Sequence, residues 1–156
     1  MMNDKLQLDD VQYDICETQG LIFETVAGKY SAESFKTFAK EYMCSEFCRR
    51  QMDVSYSRYQ MHEPEESLDF VIPEISEHAK LTESTDSHFP GNTAFWIGFT
   101  YRQISMKTCL PSAEIIKKIP LTKMLAMYPG LHTIDETMAL EIIMESFNLP
   151  FQNRKV

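Results

Sequence analysis

Five glycines in 156 residues leave this chain few places to turn tightly. Strand-rich folds need many tight turns, and dinucleotide or phosphate loops need backbone freedom that glycine supplies at least cost. Both are disfavoured from the outset, and helical spacing fills the space they leave. In residues 8–28, Asp9 or Asp10 can cap a helix on which Val11, Ile15, Ile22 and Val26 fall near a helical repeat. Gly20 weakens its middle and Gly28 offers a stop. Ser31 with Ser34 then opens an amphipathic run to residue 53, one helix or a close pair. Along it Phe35, Phe38, Ala39, Tyr42, Met43, Phe47 and Cys48 keep the spacing of a single face.

Pro64 suits the first turn of the next helix, with acids behind it, and Pro73 breaks or kinks that helix. Residues 81–92, "LTESTDSHFPGN", form the clearest loop. Beyond it, Asn92 or Thr93 caps a further helix, and Ser112 starts a short one that closes before Pro120. Another ends at Pro129 and Gly130, and Thr133 with Glu136 makes a capping box for the last. On that last helix Ile134, Met138, Ile142, Ile143 and Phe147 recur at helical spacing. Ten methionines suit adaptable packing between helices. The expected fold is all-α: one compact domain over residues 1–156, six or seven helices, with flexible ends at 1–7 and 150–156.

At 44% hydrophobic and 24% charged residues, the composition is that of a globular chain, neither disordered nor fibrous. The net charge of −8 disfavours nucleic acid, whose binding depends on neutralising phosphates. Residues 1–91 hold 18 acids and 8 bases, a balance of −10, and residues 92–156 hold 5 acids and 7 bases, a balance of +2. An acidic first half reads first as a solvated surface and second as a face for a basic partner protein. No run approaches the roughly 18 apolar residues of a membrane span, and "MMNDKLQLDD" lacks a signal-peptide pattern, so a cytoplasmic location is expected. Cys16, Cys44, Cys48 and Cys109 are then reduced thiols. Cys44 and Cys48 share a helical face without CxxC pairs or nearby histidines, so no metal site and no cofactor is expected.

Three stretches carry candidate site residues. In "NTAFWIGFTYRQISMKTC", Phe95, Phe99 and Met106 share a face beside Trp96, the only tryptophan. Such a stripe reads first as core and second as a cofactor box. Gly98 lets a neighbouring helix or ligand come close. Tyr101 and Arg102, a turn further on, are within reach of the surface; there Arg102 would clamp a carboxylate or phosphate, or simply pair with an acid on the next helix. In "CRRQMD", Arg49 and Asp53 are spaced for an intrahelical ion pair, with a basic recognition face as the alternative. In "MYPGLHTID", which includes Tyr128, His132 is expected at a helix N-terminus whose free N–H groups suit an anion. Asp135 falls in the first turn, where its charge is favoured. The other histidines, His62, His78 and His88, are scattered, and no catalytic or nucleotide-binding motif is present.

Blocks 42–53, 94–102 and 120–135 together resemble a family of small bacterial proteins of unknown function. Members occur beside genes for small toxin-like proteins, ADP-ribosyltransferase-like ones among them. The matching features are Ser45, Glu46, Arg49 and Asp53; then Trp96, Gly98, Tyr101 and Arg102; then Met124, Tyr128, Gly130, His132 and Asp135. Cys48 and Pro129 depart from the commoner choices. The resemblance, over roughly residues 31–147, implies a non-catalytic interaction protein that neutralises or regulates a toxin-like partner by occluding its active surface. Trp96, Tyr101 and Arg102 would be its anchors and the acidic half would steer a basic partner. The alternative is a small-ligand or enzyme pocket that gathers Tyr101, Arg102, His132 and Asp135.

Overall fold

Helix α2 (Asp10–Lys29) begins at Asp9, whose side chain accepts from Gln12 N at 2.8 Å while Gln12 Oε1 accepts from Asp9 N at 3.2 Å. This reciprocal box satisfies donors that the first turn leaves unpaired. The computed structural model describes residues 2–154. Around α2 lie α1 (Met2–Leu6), α3 (Ala32–Met43), α4 (Pro64–Ser76), α5 (Gly91–Thr108), α6 (Ser112–Lys118), α7 (Leu121–Leu131) and α8 (Glu136–Ser146). A π-helical turn, Cys48–Met52, and a 3₁₀ turn, Arg58–Met61, complete the order. The described residues form one all-α domain without strands, in which seven helices have seven or more residues.

The centre is the antiparallel pair α2 and α5, where Gln12 meets Lys107 at one end and Glu24 lies by Gly91 at the other. Two glycines let these helices touch. A Cβ on Gly98 would stand 2.7 Å from Gln19 O, and one on Gly20 would stand 2.7 Å from the Phe95 ring. Gly20 is thus a packing device inside α2. Phe23 lies against Gly98, edge-on to Phe35, Phe38 and Tyr42 of the helix that follows. Gly98→Ala is expected to destabilise by about 1–3 kcal/mol, because backbone on α2 must move to admit the methyl group. Gly28→Ala, where nothing lies within 4 Å, should be neutral or stabilising by up to about 1 kcal/mol. Urea unfolding of the two variants checks this contrast. Equal midpoints would mean that α2 and α5 part freely.

Several local expectations are corrected. Gly28 lies within α2, which ends at Lys29. The run from Ser31 resolves into the second of its two expected forms, a close pair of α3 and the π turn. Pro73 sits inside α4 and Pro129 and Gly130 inside α7; none of them ends its helix. A proline removes one N–H and costs a helix something, but the packed neighbours hold both helices through it. Helix α5 starts at Gly91 behind Pro90, with no side-chain cap from Asn92 or Thr93. Helix α8 is capped by Asp135, which accepts from Thr137 N and Met138 N, not by a Thr133–Glu136 box.

Of the two ends expected to be flexible, residues 1, 155 and 156 lie outside the described residues. Within them, Leu6 is fully buried, Gln152 N donates to Lys107 O, and Arg154 N donates to Met106 O. No helix among the described residues is long and apolar enough to cross a membrane.

Candidate functional site

The arginine singled out in the sequence is fully buried, and every nitrogen on its guanidinium is used. Arg102 Nε donates to Gln19 Oε1 at 2.9 Å. Its Nη1 donates to Met52 O at 3.2 Å and to Asp53 Oδ1 at 2.7 Å. Its Nη2 donates to Cys48 Sγ at 3.2 Å and to Ser112 Oγ at 2.8 Å. Ser112 in turn donates to Asp53 through both its N, at 2.9 Å, and its Oγ, at 2.6 Å. Gln19 closes the set: its Nε2 donates to Gly98 O, and its Oε1 accepts from Tyr42 Oη.

Arg102 therefore ties α2, the π turn and the start of α6 to α5. Burial pushes the Cys48 thiol up to about 12, so it is a neutral contact here and no nucleophile. Tyr101 is buried too, and its Oη donates to Ile119 O at 2.8 Å. Neither residue reaches the surface, so the expectation of Tyr101 and Arg102 as exposed anchors is overturned.

The expected Arg49–Asp53 pair is also replaced. Arg49 Nη2 meets Glu46 Oε2 at 2.6 Å, and Arg50 Nε meets the same oxygen at 3.1 Å, all at the exposed surface. The reason lies in the π turn. Asp53 N donates to Cys48 O, a bond one residue longer than an α-helical one, and this added residue shifts Asp53 off the Arg49 face and into the core. Exposed, the Glu46 cluster contributes little to stability.

The last block builds something different. His132 caps the C-terminus of α7, its N–H donating to Tyr128 O, so it does not stand at a helix N-terminus as expected. Its ring stacks on Tyr128 at 4.1 Å, and Tyr128 meets Trp96 edge-on at 5.5 Å. Across from this row, Tyr13 packs edge-on against Phe99 at 5.3 Å. A cleft opens here, lined by Trp96, Phe99 and Gln103 of α5, Tyr13 of α2, and His132, Ile134 and Glu136. Arg102, Tyr101 and Asp135 do not line it, so the pocket expected around Tyr101, Arg102, His132 and Asp135 does not form. Burial raises the Tyr13 phenol, and Glu136 adds to this; burial also raises the Glu136 carboxyl, and Asp135 adds to that.

Beside the cleft runs an exposed apolar stripe along and just before α8: Ile134 at 36% exposure, Met138 at 50% and Ile142 at 42%. In the sequence these three share one helical repeat with Ile143 and Phe147, of which Ile143 is buried. Helix α8 instead buries its other stripe, Ala139, Leu140, Ile143 and Met144. It thus carries two apolar faces, one of them left partly to solvent among the described residues. Phe70, another exposed apolar residue, lies on α4 edge-on to Tyr59.

Among the described residues no three His, Cys, Asp or Glu side chains gather closely enough to hold a metal ion. No family model, curated protein or solved structure matches the chain.

Proposed function

We propose that this chain is an acidic helical interaction protein that covers a partner protein with the α8 stripe and the cleft beside it. The supporting observation is the exposed row Ile134, Met138 and Ile142 on a helix whose opposite face already fills the core. A single exposed apolar side chain is ordinary; a row of them along one helix is the form an amphipathic docking surface takes. Trp96 and Tyr128, half-buried at the rim of the cleft, are the aromatic anchors such interfaces favour.

The net charge of −8 suits a basic partner and faster encounter with it. The resemblance of the three blocks adds the neutralising role towards a toxin-like protein. Many of those block residues are occupied in holding the fold, however: Asp53, Gly98, Tyr101 and Arg102 are all buried within it. The binding role therefore falls to the exposed or half-buried members, Trp96, Tyr128 and His132, joined by α8.

The test is affinity capture of the tagged protein from its own cells, at low and moderate salt, with Met138→Asp in parallel. A stoichiometric partner is expected with the wild type, weakened as salt rises and lost on Met138→Asp while the melting temperature is kept. Equal capture by both proteins would remove the α8 face from the reading.

A further inference from the structure

The cleft holds the Glu136 carboxylate and the Gln103 amide, with the Thr100 hydroxyl and the Tyr13 phenol able to donate or accept, and much of its wall is aromatic. His132 Nδ1 lies 2.7 Å from Tyr128 O. A carbonyl oxygen only accepts, so the Nδ1 proton is held on Tyr128 O and Nε2 is the ring nitrogen left to face the cleft. Gln103 Nε2 donates to Glu136 O at 3.1 Å, which leaves Gln103 Oε1 as an acceptor without a protein partner among the described residues. The Glu136 carboxylate lines the same space, and no lysine or arginine does. Asp14 and Glu17, on the helix that carries Tyr13, add negative charge close to its phenol. Trp96, Phe95 and Phe99 line it as well, with Thr100, Ile134 and Ala139, and aromatic ring faces attract cations through their π-electrons.

A flat cation with several donors satisfies both kinds of lining at once. An ammonium would satisfy the charge, but has fewer donors and no plane to stack. We infer that this cleft takes the guanidinium of an arginine side chain presented by the partner protein, stacked among the aromatic rings and hydrogen-bonded to Glu136, Gln103 and His132. This rests on the α8 face being the partner surface and specifies what enters beside it. The negative charge of the cleft and the absence of any cation from its walls argue for a basic insert over an apolar one.

The single tryptophan makes the site directly observable. The ¹⁵N-labelled full chain would be titrated with acetyl-Gly-Arg-Gly-amide, and separately with its citrulline counterpart, an uncharged near-isostere. The arginine peptide is expected to shift the Trp96 indole N–H and the Gln103 side-chain amide, with affinity in the millimolar range. Citrulline, and the arginine peptide on Glu136→Gln, should each bind about tenfold more weakly, the loss of roughly one charged hydrogen bond. Resonances far from the cleft should be unchanged in Glu136→Gln, which separates a binding loss from misfolding. No response at Trp96, or equal responses to both peptides, would overturn the assignment.

The partner capture separates this inference from the reading beneath it. A partner lost on Met138→Asp but retained on Glu136→Gln leaves the α8 face standing and sinks the arginine insert. A partner indifferent to Met138→Asp sinks both.

Discussion

Replacing Arg102 by methionine is expected to cost about 3–5 kcal/mol, a large share of what holds a domain of this size. The guanidinium is fully buried, and its removal leaves Asp53 without its ion-pair partner. Asp53 would retain only the two hydrogen bonds from Ser112. Gln19 Oε1 and Met52 O would each lose a donor as well. Removing one member of a buried pair exposes the other to the full penalty of an uncompensated charge, and this penalty sets the magnitude. Asp53→Asn should cost a comparable amount, because it leaves the buried guanidinium without its counter-charge and turns an amide NH2 towards a donor, Ser112 N or Arg102 Nη1. Urea unfolding of both variants gives the comparison. An Arg102→Met protein within about 1 kcal/mol of the wild type would mean the pair is offset by its own desolvation.

Raising the pH is expected to unfold the chain from above about pH 9. Burial raises the thiols of Cys16 and Cys48, Cys48 to about 12, and the phenols of Tyr42 and Tyr101. In the unfolded chain these groups ionise near about 8.5 for cysteine and about 10 for tyrosine. Between the unfolded and folded values, the native state keeps a proton that the unfolded state has released. The unfolded state then binds fewer protons, so stability falls as pH rises, by about 1.4 kcal/mol per pH unit for each group.

Lys107 works the other way. Burial lowers its pKa, so the cost of burying its charge eases as pH rises towards the ordinary lysine value. One amine does not offset two thiols and two phenols. Urea midpoints should therefore be level between about pH 7 and 8 and fall steeply between about pH 9 and 10.5. The Cys48→Ala variant should show a shallower fall. A midpoint unchanged up to about pH 10.5 would contradict the burial of these groups.

The helices were legible because local rules suffice for them. Asp9, Ser31 and Pro64 open helices in the structure as their side chains predict. What could not be read is which residues meet across the chain. The spacing of Arg49 and Asp53 pointed to an ion pair, but a π turn moved Asp53 onto Arg102, far along the chain. Only the three-dimensional path reveals that exchange.

Helix α8 fails differently. Its periodic apolar residues were found, yet periodicity does not say which of two apolar stripes turns inward. Ala139, Leu140, Ile143 and Met144 fill the core, and the row of Ile134, Met138 and Ile142 is left to solvent. His132 was misplaced because Pro129 and Gly130 read as a stop, whereas α7 runs through both to Leu131. Nothing local in the sequence marks Tyr13 or Gln103, because lining a cleft between helices depends on how the helices pack.

The measurement that bears most directly on the proposed function is photo-crosslinking in the native cells, with a benzophenone amino acid placed at position 138 in one strain and at position 70 in another. Met138 and Phe70 are both exposed and apolar, at 50% and 58%, so general stickiness would label both alike. A discrete adduct from position 138, absent from position 70 and depleted by Ile134→Asp, is the predicted result. Adducts of equal strength from both positions, or none from position 138, would contradict the assignment of α8 as the partner-binding face.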